Sequence, residues 1–179
     1  MSRLHKILFT GPMGVGKTTC IGALSEIPPV TTEAVNTDQE TAAKATTTVA
    51  LDYGELTLEG EEKVRLVATP GQLRFDFMWS ILAKGALGVI VLIDNSLADP
   101  LGDLQTYLGH FSEFARGSRM VVGVTRTETH AVPTVESYYQ YLSGLGLSLP
   151  VLSVDVRRRS DALMLIDVLL SELVYAQAP

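Results

Sequence analysis

The sequence predicts an α/β fold: a three-layer sandwich with a mostly parallel sheet of about six strands, one of them an antiparallel hairpin strand, and helices on both faces. Gly11-Pro12-Met13-Gly14-Val15-Gly16-Lys17-Thr18 fits the phosphate-loop pattern G-x-x-x-x-G-K-[ST] at every fixed position, between a strand-like and a helix-like stretch. Beyond it, short apolar runs alternate with stretches of helical spacing, the pattern of right-handed βαβ crossovers. With 179 residues, 46% of them hydrophobic, the chain has the length of one domain with a full core, and residues 1–179 are expected to form a single phosphate-loop domain.

Taken in order, residues 4–9 read as a buried strand and Thr19 onward as a helix, which Pro28-Pro29 stops. Residues 30–47, rich in Thr, Ala and Glu, lack strong periodicity and are expected to be a long mobile loop. Residues 48–58 and 63–68 read as two strands joined through Gly60-Glu61-Glu62, the one antiparallel element expected. Phe75, Met78, Trp79, Leu82 and Ala83 mark a helix over residues 73–84, with Trp79 assigned to the core. Residues 88–93 are a continuous apolar run, as in a strand buried on both faces, and Asp94 ends it. A helix around Leu101, Leu104, Leu108 and Phe111 carries His110, read as structural or surface. A strand at 120–124, a helix at 134–142, a short strand at 151–154 and a closing helix at 161–174 complete the chain.

The chemistry begins at the phosphate loop, which predicts a P-loop NTPase that binds a nucleoside phosphate. Its glycines, from Gly11 to Gly16, let the backbone curl so that the NH groups of Met13, Gly14, Val15, Gly16, Lys17, Thr18 and Thr19 converge with the positive end of a helix on the phosphates. Lys17 would reach the β and γ phosphates, and the Thr18 hydroxyl would hold Mg2+. The same residues also read as G-x-x-G-x-G-K-T, a spacing common in P-loop kinases, so the motif by itself leaves switch and kinase both open.

A formal charge of −6 argues against a nucleic-acid partner. Arg157-Arg158-Arg159 is the one basic run and reads as a solvated loop before the last helix. The single Cys20 cannot form an internal disulfide and suits a reducing cytosol, so a cytoplasmic location is expected. No apolar run reaches bilayer length, and neither end carries a lipidation motif, so no direct membrane anchor is expected.

Two further segments carry a resemblance. Thr48-Val49-Ala50-Leu51-Asp52-Tyr53 resembles the switch I segment of small Ras-like GTPases, and Thr69-Pro70-Gly71-Gln72-Leu73-Arg74-Phe75 resembles their switch II segment. The Thr-Pro-Gly-Gln form is similar to the bacterial branch, the gliding-motility polarity type and the GTPases found beside roadblock-domain proteins. The resemblance implies that Thr48 closes over Mg2+ and the γ phosphate, with Thr47 or Thr46 as substitutes in a shifted register. It implies that Gly71 offers its NH to the γ phosphate and that Gln72 orients the attacking water, Gln72 and Lys17 being the catalytic pair. GTP and GDP are the implied ligands, and a roadblock-type regulator or other protein is the implied partner, bound at switch I, residues 30–50, and switch II, residues 69–80. Phe75, Phe77, Met78 and Trp79 would form part of that surface if exposed.

The chain also departs from the family pattern. Ala68 stands where the family has a magnesium-associated aspartate, which predicts weakened Mg2+ binding. The guanine-reading motif falls on Thr125-Arg126-Thr127-Glu128, where Glu128 would accept from the base and Arg126 would lie over it. Thr125 replaces an asparagine that ties loops together, and Val156 would supply the NH that meets the guanine oxygen. No arginine lies between Ile27 and Ala50, so hydrolysis is expected to be slow and partner-stimulated. The resulting expectation is a guanine-nucleotide switch with weak GTPase activity. The alternatives are a non-hydrolysing nucleotide-bound scaffold, favoured by Ala68 and Thr125, and a small P-loop kinase.

Overall fold

A computed structural model describes residues 5–35 and 48–176 of the chain. Its seven strands are β1 His5–Thr10, β2 Val30–Val35, β3 Thr48–Thr57, β4 Lys63–Ala68, β5 Gly88–Asp94, β6 Met120–Thr125 and β7 Val151–Ser153. They form one sheet in the order β2-β3-β4-β1-β5-β6-β7. Pairing is parallel from β4 through β1, β5 and β6 to β7, and β3 alone runs against both of its neighbours. The fold is therefore the α/β sandwich expected, with one strand more.

That extra strand corrects the reading of residues 30–47 as loop. Val30–Val35 pairs antiparallel with β3, from Val30 opposite Tyr53 to Val35 opposite Thr48, so the chain has a second antiparallel ladder besides the hairpin. Its sequence, VTTEAV, is rich in β-branched residues, which suit a pleated edge even without a clean apolar alternation. The rest of the expected switch I loop, residues 36–47, lies outside the described residues.

Among the described residues six α-helices cover the sheet: α1 Lys17–Leu24, α2 Asp76–Ala83, α3 Pro100–His110, α4 Ser112–Arg116, α5 Val135–Gly144 and α6 Arg159–Ala176. The two faces of β5 follow its period of two. Val89, Val91 and Ile93 pack with Trp79, Tyr107, Phe111 and Tyr138 from the α2, α3 and α5 side, while Ile90 and Leu92 pack with Ile21, Leu24, Leu165 and Ile166 from α1 and α6. Each such fully buried aliphatic side chain contributes about 2 kcal/mol relative to exposure. No helix among the described residues is long and apolar enough to cross a membrane.

Helix ends follow from local chemistry. Asp99 caps α3 by accepting from the Gly102 NH, with Pro100 in the first turn, and Thr134 caps α5 by accepting from the Ser137 NH. Arg159 opens α6 and donates to the Ala23 and Leu24 carbonyls at 2.7 and 2.8 Å, satisfying the end of α1. Arg157 pairs with Asp155, and Arg158 stands 3.9 Å from the same carboxylate, so the basic run serves the joint between α1, β7 and α6.

Candidate functional site

The parallel strands all run toward one end of the sheet, and the loops that leave them there carry the site. The loop from β1 to α1 holds the phosphate-binding motif. Gly16 caps α1 in the left-handed region at φ 108°, and a Cβ there would lie 2.7 Å from Val156 Cγ2, so backbone shape and the close approach of the β7–α6 loop both require glycine. Lys17 folds back over the loop, donating to the Gly11 and Pro12 carbonyls at 2.6 and 2.9 Å. Burial lowers its pKa to about 8, against the opposing pull of Asp52.

Two cavities flank this loop and share Gly14, Gly16 and Thr19. The first, of about 340 Å³, is lined by Met13, Lys17, Thr18, Asp52, Ala68 and Gly71, among others. Thr18 Oγ1 donates to Asp52 Oδ2, and Asp52 Oδ1 accepts from Thr31 Oγ1 at 3.0 Å. Asp52 was not among the residues expected here. The β3–β4 ladder explains its position: Tyr53 pairs with Val67, so one further step of the antiparallel register sets residue 52 beside residue 68. The acid thus stands on β3, opposite the Ala68 that replaces it on β4. The fit to a magnesium ion can be judged from these donors. A hydroxyl and a carboxylate converge beside Lys17, and no group of three or more His, Cys, Asp or Glu side chains gathers among the described residues. That sparse hard-oxygen set suits Mg2+, which takes its remaining ligands from phosphate and water. The side chain of Thr48, the other expected metal ligand, lies outside the described residues.

Beyond β4, Thr69 joins the end of β1 through its NH to the Phe9 carbonyl at 2.8 Å and its hydroxyl to Thr10 Oγ1 at 2.8 Å. Gly71 lies against the phosphate loop, where a Cβ would come within 2.7 Å of Met13 N and Cα and 2.8 Å of Lys17 Nζ. Gln72 Nε2 is 3.6 Å from Met13 Sδ. A short 3₁₀ turn, Leu73–Phe75, then leads into α2. Here the expected partner surface changes: Phe75 and Trp79 are buried, and the exposed apolar side chains are Leu73, Phe77 and Ile81, spaced by four along one stripe.

The second cavity, of about 320 Å³, lies between the phosphate loop, the β6–α5 loop and the β7–α6 loop, and includes Val15, Arg126, Glu128 and Val156. Arg126 was expected to lie over a base. Its guanidinium instead pairs with the buried Asp94 and donates to the Gly14 carbonyl at 3.1 Å. Asp94 also accepts from the Ser96 NH and hydroxyl, capping its own loop. Thr125 is buried and turned to the Ile93 carbonyl at 3.3 Å, so Arg126 does the tying of loops to the phosphate loop that Thr125 cannot. Glu128 is exposed at the cavity edge. Asp155, held by the NH, Nε and Nη2 of Arg157, has its carboxyl lowered to about 2.

These features define a P-loop nucleotide-binding protein. Residues 28–137, more than half of the chain, match the family described as conserved hypothetical ATP binding protein, and the chain belongs to that family. It is 33% identical over 92 residues to an uncharacterized protein of Methanocaldococcus jannaschii, a match covering 51% of each, so the chain spans about half the length of that curated relative. Among solved structures it is similar to the cytosolic domain of the T. maritima FeoB iron transporter in its GMPPNP form. The TM-score is 0.64 at 18% identity, covering 98% of this chain and 65% of that one, a likeness of fold.

Proposed function

We propose that this chain is a guanine-nucleotide switch with slow intrinsic GTP hydrolysis. The observation that carries the reading is the seating of Gly71 on the phosphate loop beside Lys17, with Gln72 next to Met13. In this reading the backbone NH would hold a terminal phosphate and the amide side chain an attacking water, and phosphoryl transfer to water needs little beyond positioning and charge. Met13 to Thr19 would cradle the phosphates, with Lys17 neutralising charge. Thr18 and Asp52 would hold Mg2+, with Thr48 approaching from β3; the ion supplies charge neutralisation between the phosphates. Glu128, exposed at the edge of the second cavity, would accept from guanine, and Val156 would meet the guanine oxygen. With no arginine in residues 28–50, acceleration is left to a protein partner, a roadblock-type regulator in keeping with the bacterial branch, which would read Leu73, Phe77 and Ile81.

Three observations favour adenine instead. Arg126 is spent on Asp94 and the Gly14 carbonyl, Thr125 faces the sheet, and the family is described as ATP binding. Equilibrium binding of GDP, GTP, ADP and ATP with Mg2+, followed by turnover of wild type and Gln72→Ala, decides between them. Selective guanine binding and a turnover that falls about 10- to 100-fold in the variant are expected. Preference for ATP would replace the base assignment, and turnover indifferent to Gln72 would replace the switch by a nucleotide-bound scaffold.

A further inference from the structure

Trp79, the single tryptophan of the chain, is fully buried in α2, yet its indole is not spent on packing alone. The ring lies near-parallel to Tyr107 at 5.0 Å and to Phe111 at 6.0 Å and meets His110 edge-on at 4.9 Å, so α3 and the residue that follows it hold its plane. In that plane Nε1 donates to the Pro70 carbonyl at 2.9 Å. The peptide that joins Pro70 to Gly71 is planar, with its C=O and NH pointing in opposite directions. A carbonyl fixed on the indole therefore fixes the Gly71 NH, directed away from the core. Pro70 and Gly71 both line the phosphate cavity, so the side of this peptide turned away from the core is the side turned to the cavity. Gly71 lies directly against the phosphate loop, at Met13 and Lys17.

We infer that Trp79 is a positioning residue for the terminal phosphate of a bound nucleoside triphosphate: its indole NH holds the Pro70–Gly71 peptide with the Gly71 NH aimed at that phosphate, and its stacking on Tyr107 ties this orientation to α3. The inference rests on the switch reading above and deepens it. A diphosphate, which places nothing opposite Gly71, gains nothing from the indole. Loss of the bond lets the peptide rotate and weakens triphosphate binding selectively.

The test measures GDP and GMPPNP affinities, with ADP and AMPPNP in parallel, for the full chain with Mg2+ by calorimetry. Three proteins are compared: wild type, Trp79→Phe, and wild type in which the one tryptophan is replaced by benzothienylalanine, an isostere with sulfur in place of the NH. The result expected is a triphosphate-analogue affinity about tenfold lower in both altered proteins, the worth of one buried hydrogen bond, with diphosphate affinity unchanged. Retention of the wild-type triphosphate-to-diphosphate ratio in both overturns the inference and leaves the switch reading intact. An equal loss for both ligands in Trp79→Phe, absent with the isostere, assigns Trp79 to packing and also overturns it. A wild type that binds neither di- nor triphosphate overturns the switch reading, and the inference with it.

Discussion

Asp52 and Ala68 stand one residue beyond the Tyr53–Val67 pair of the β3–β4 ladder and both line the phosphate cavity, and only one of the two carries a carboxylate. Because both line that cavity on adjacent strands, an acid on either strand is expected to reach the space beside Thr18, and the two positions should be exchangeable. Asp52→Ala is expected to lower the Mg2+ affinity of the nucleotide complex about 10- to 100-fold, the usual cost of losing a carboxylate at the edge of a metal's coordination. Asp52→Ala combined with Ala68→Asp should restore most of it. Mg2+ titration of a bound fluorescent nucleotide reads this directly: a single variant that binds Mg2+ like wild type would remove Asp52 from the metal site, and a double variant no better than the single would show that the two positions are not exchangeable. Lys17 carries a second expectation. Burial holds its pKa at about 8, whereas phosphates would draw it back up, so binding takes up a proton above about pH 8. Nucleotide affinity should be level below about pH 8 and fall by up to about tenfold per unit above it. Without nucleotide the trend reverses: the unfolded chain holds more protons than the folded one between about 8 and the ordinary 10.5, so Lys17 makes stability rise with pH there. Calorimetry in buffers of different ionisation enthalpy checks the uptake, and its absence at about pH 8.5 would contradict the assignment.

At the scale of elements, what the sequence disclosed and what it hid differ in range. The phosphate loop was legible because its residues are contiguous and the strand and helix that flank it are too. β5 was legible because GVIVLID is apolar throughout, and a strand buried on both faces needs no alternation. β2 was not: VTTEAV has no clean apolar face, and its stability comes from pairing with β3, more than a dozen residues on. Asp52 was hidden for a related reason, since its place beside Ala68 depends on the register of two strands and not on local spacing. The same holds for Tyr139, exposed on α5, whose hydroxyl donates to the Val151 carbonyl at 3.2 Å and accepts from the Val151 NH at 3.1 Å. It closes the edge of the short β7, so the sheet is blunted at that end by a side chain from a helix rather than by charge or proline. Arg126 shows the converse case: the motif assigns it to a base site and it does line the second cavity, but its guanidinium is claimed by Asp94, a partner 32 residues earlier that no spacing rule connects to it.

For the whole molecule, the two cavities lie at one end of the sheet, where β1, β4, β5, β6 and β7 deliver Thr10, Ala68, Asp94, Thr125 and Ser153. The opposite end is held by direct contacts that involve no residue of these two cavities, such as Lys6 Nζ to the Lys84 carbonyl at 2.7 Å and the Leu87 NH to the Lys6 carbonyl at 2.8 Å. A nucleotide spanning both cavities would bridge segments that otherwise meet through a few bonds: the phosphate loop, residues 69–72, residues 125–129 and residues 154–157. Ligand binding to the folded chain alone adds about 2.7 kcal/mol at a hundredfold excess over the dissociation constant, and that gain acts against every opening that breaks the site. Openings confined to the far end leave the ligand bound and gain nothing from it. Amide hydrogen exchange with and without nucleotide is therefore expected to slow at the four segments of the site and to stay unchanged at residues 84–87 and 117–119. Protection restricted to residues 12–19 and 69–72 would place the phosphates in the first cavity and leave the base outside the second, a result that would count against Glu128 and Val156 as base contacts while keeping the phosphate site. Equal protection at both ends would mean that the sheet opens only as a unit, so that the far-end contacts and the site share one cooperative barrier.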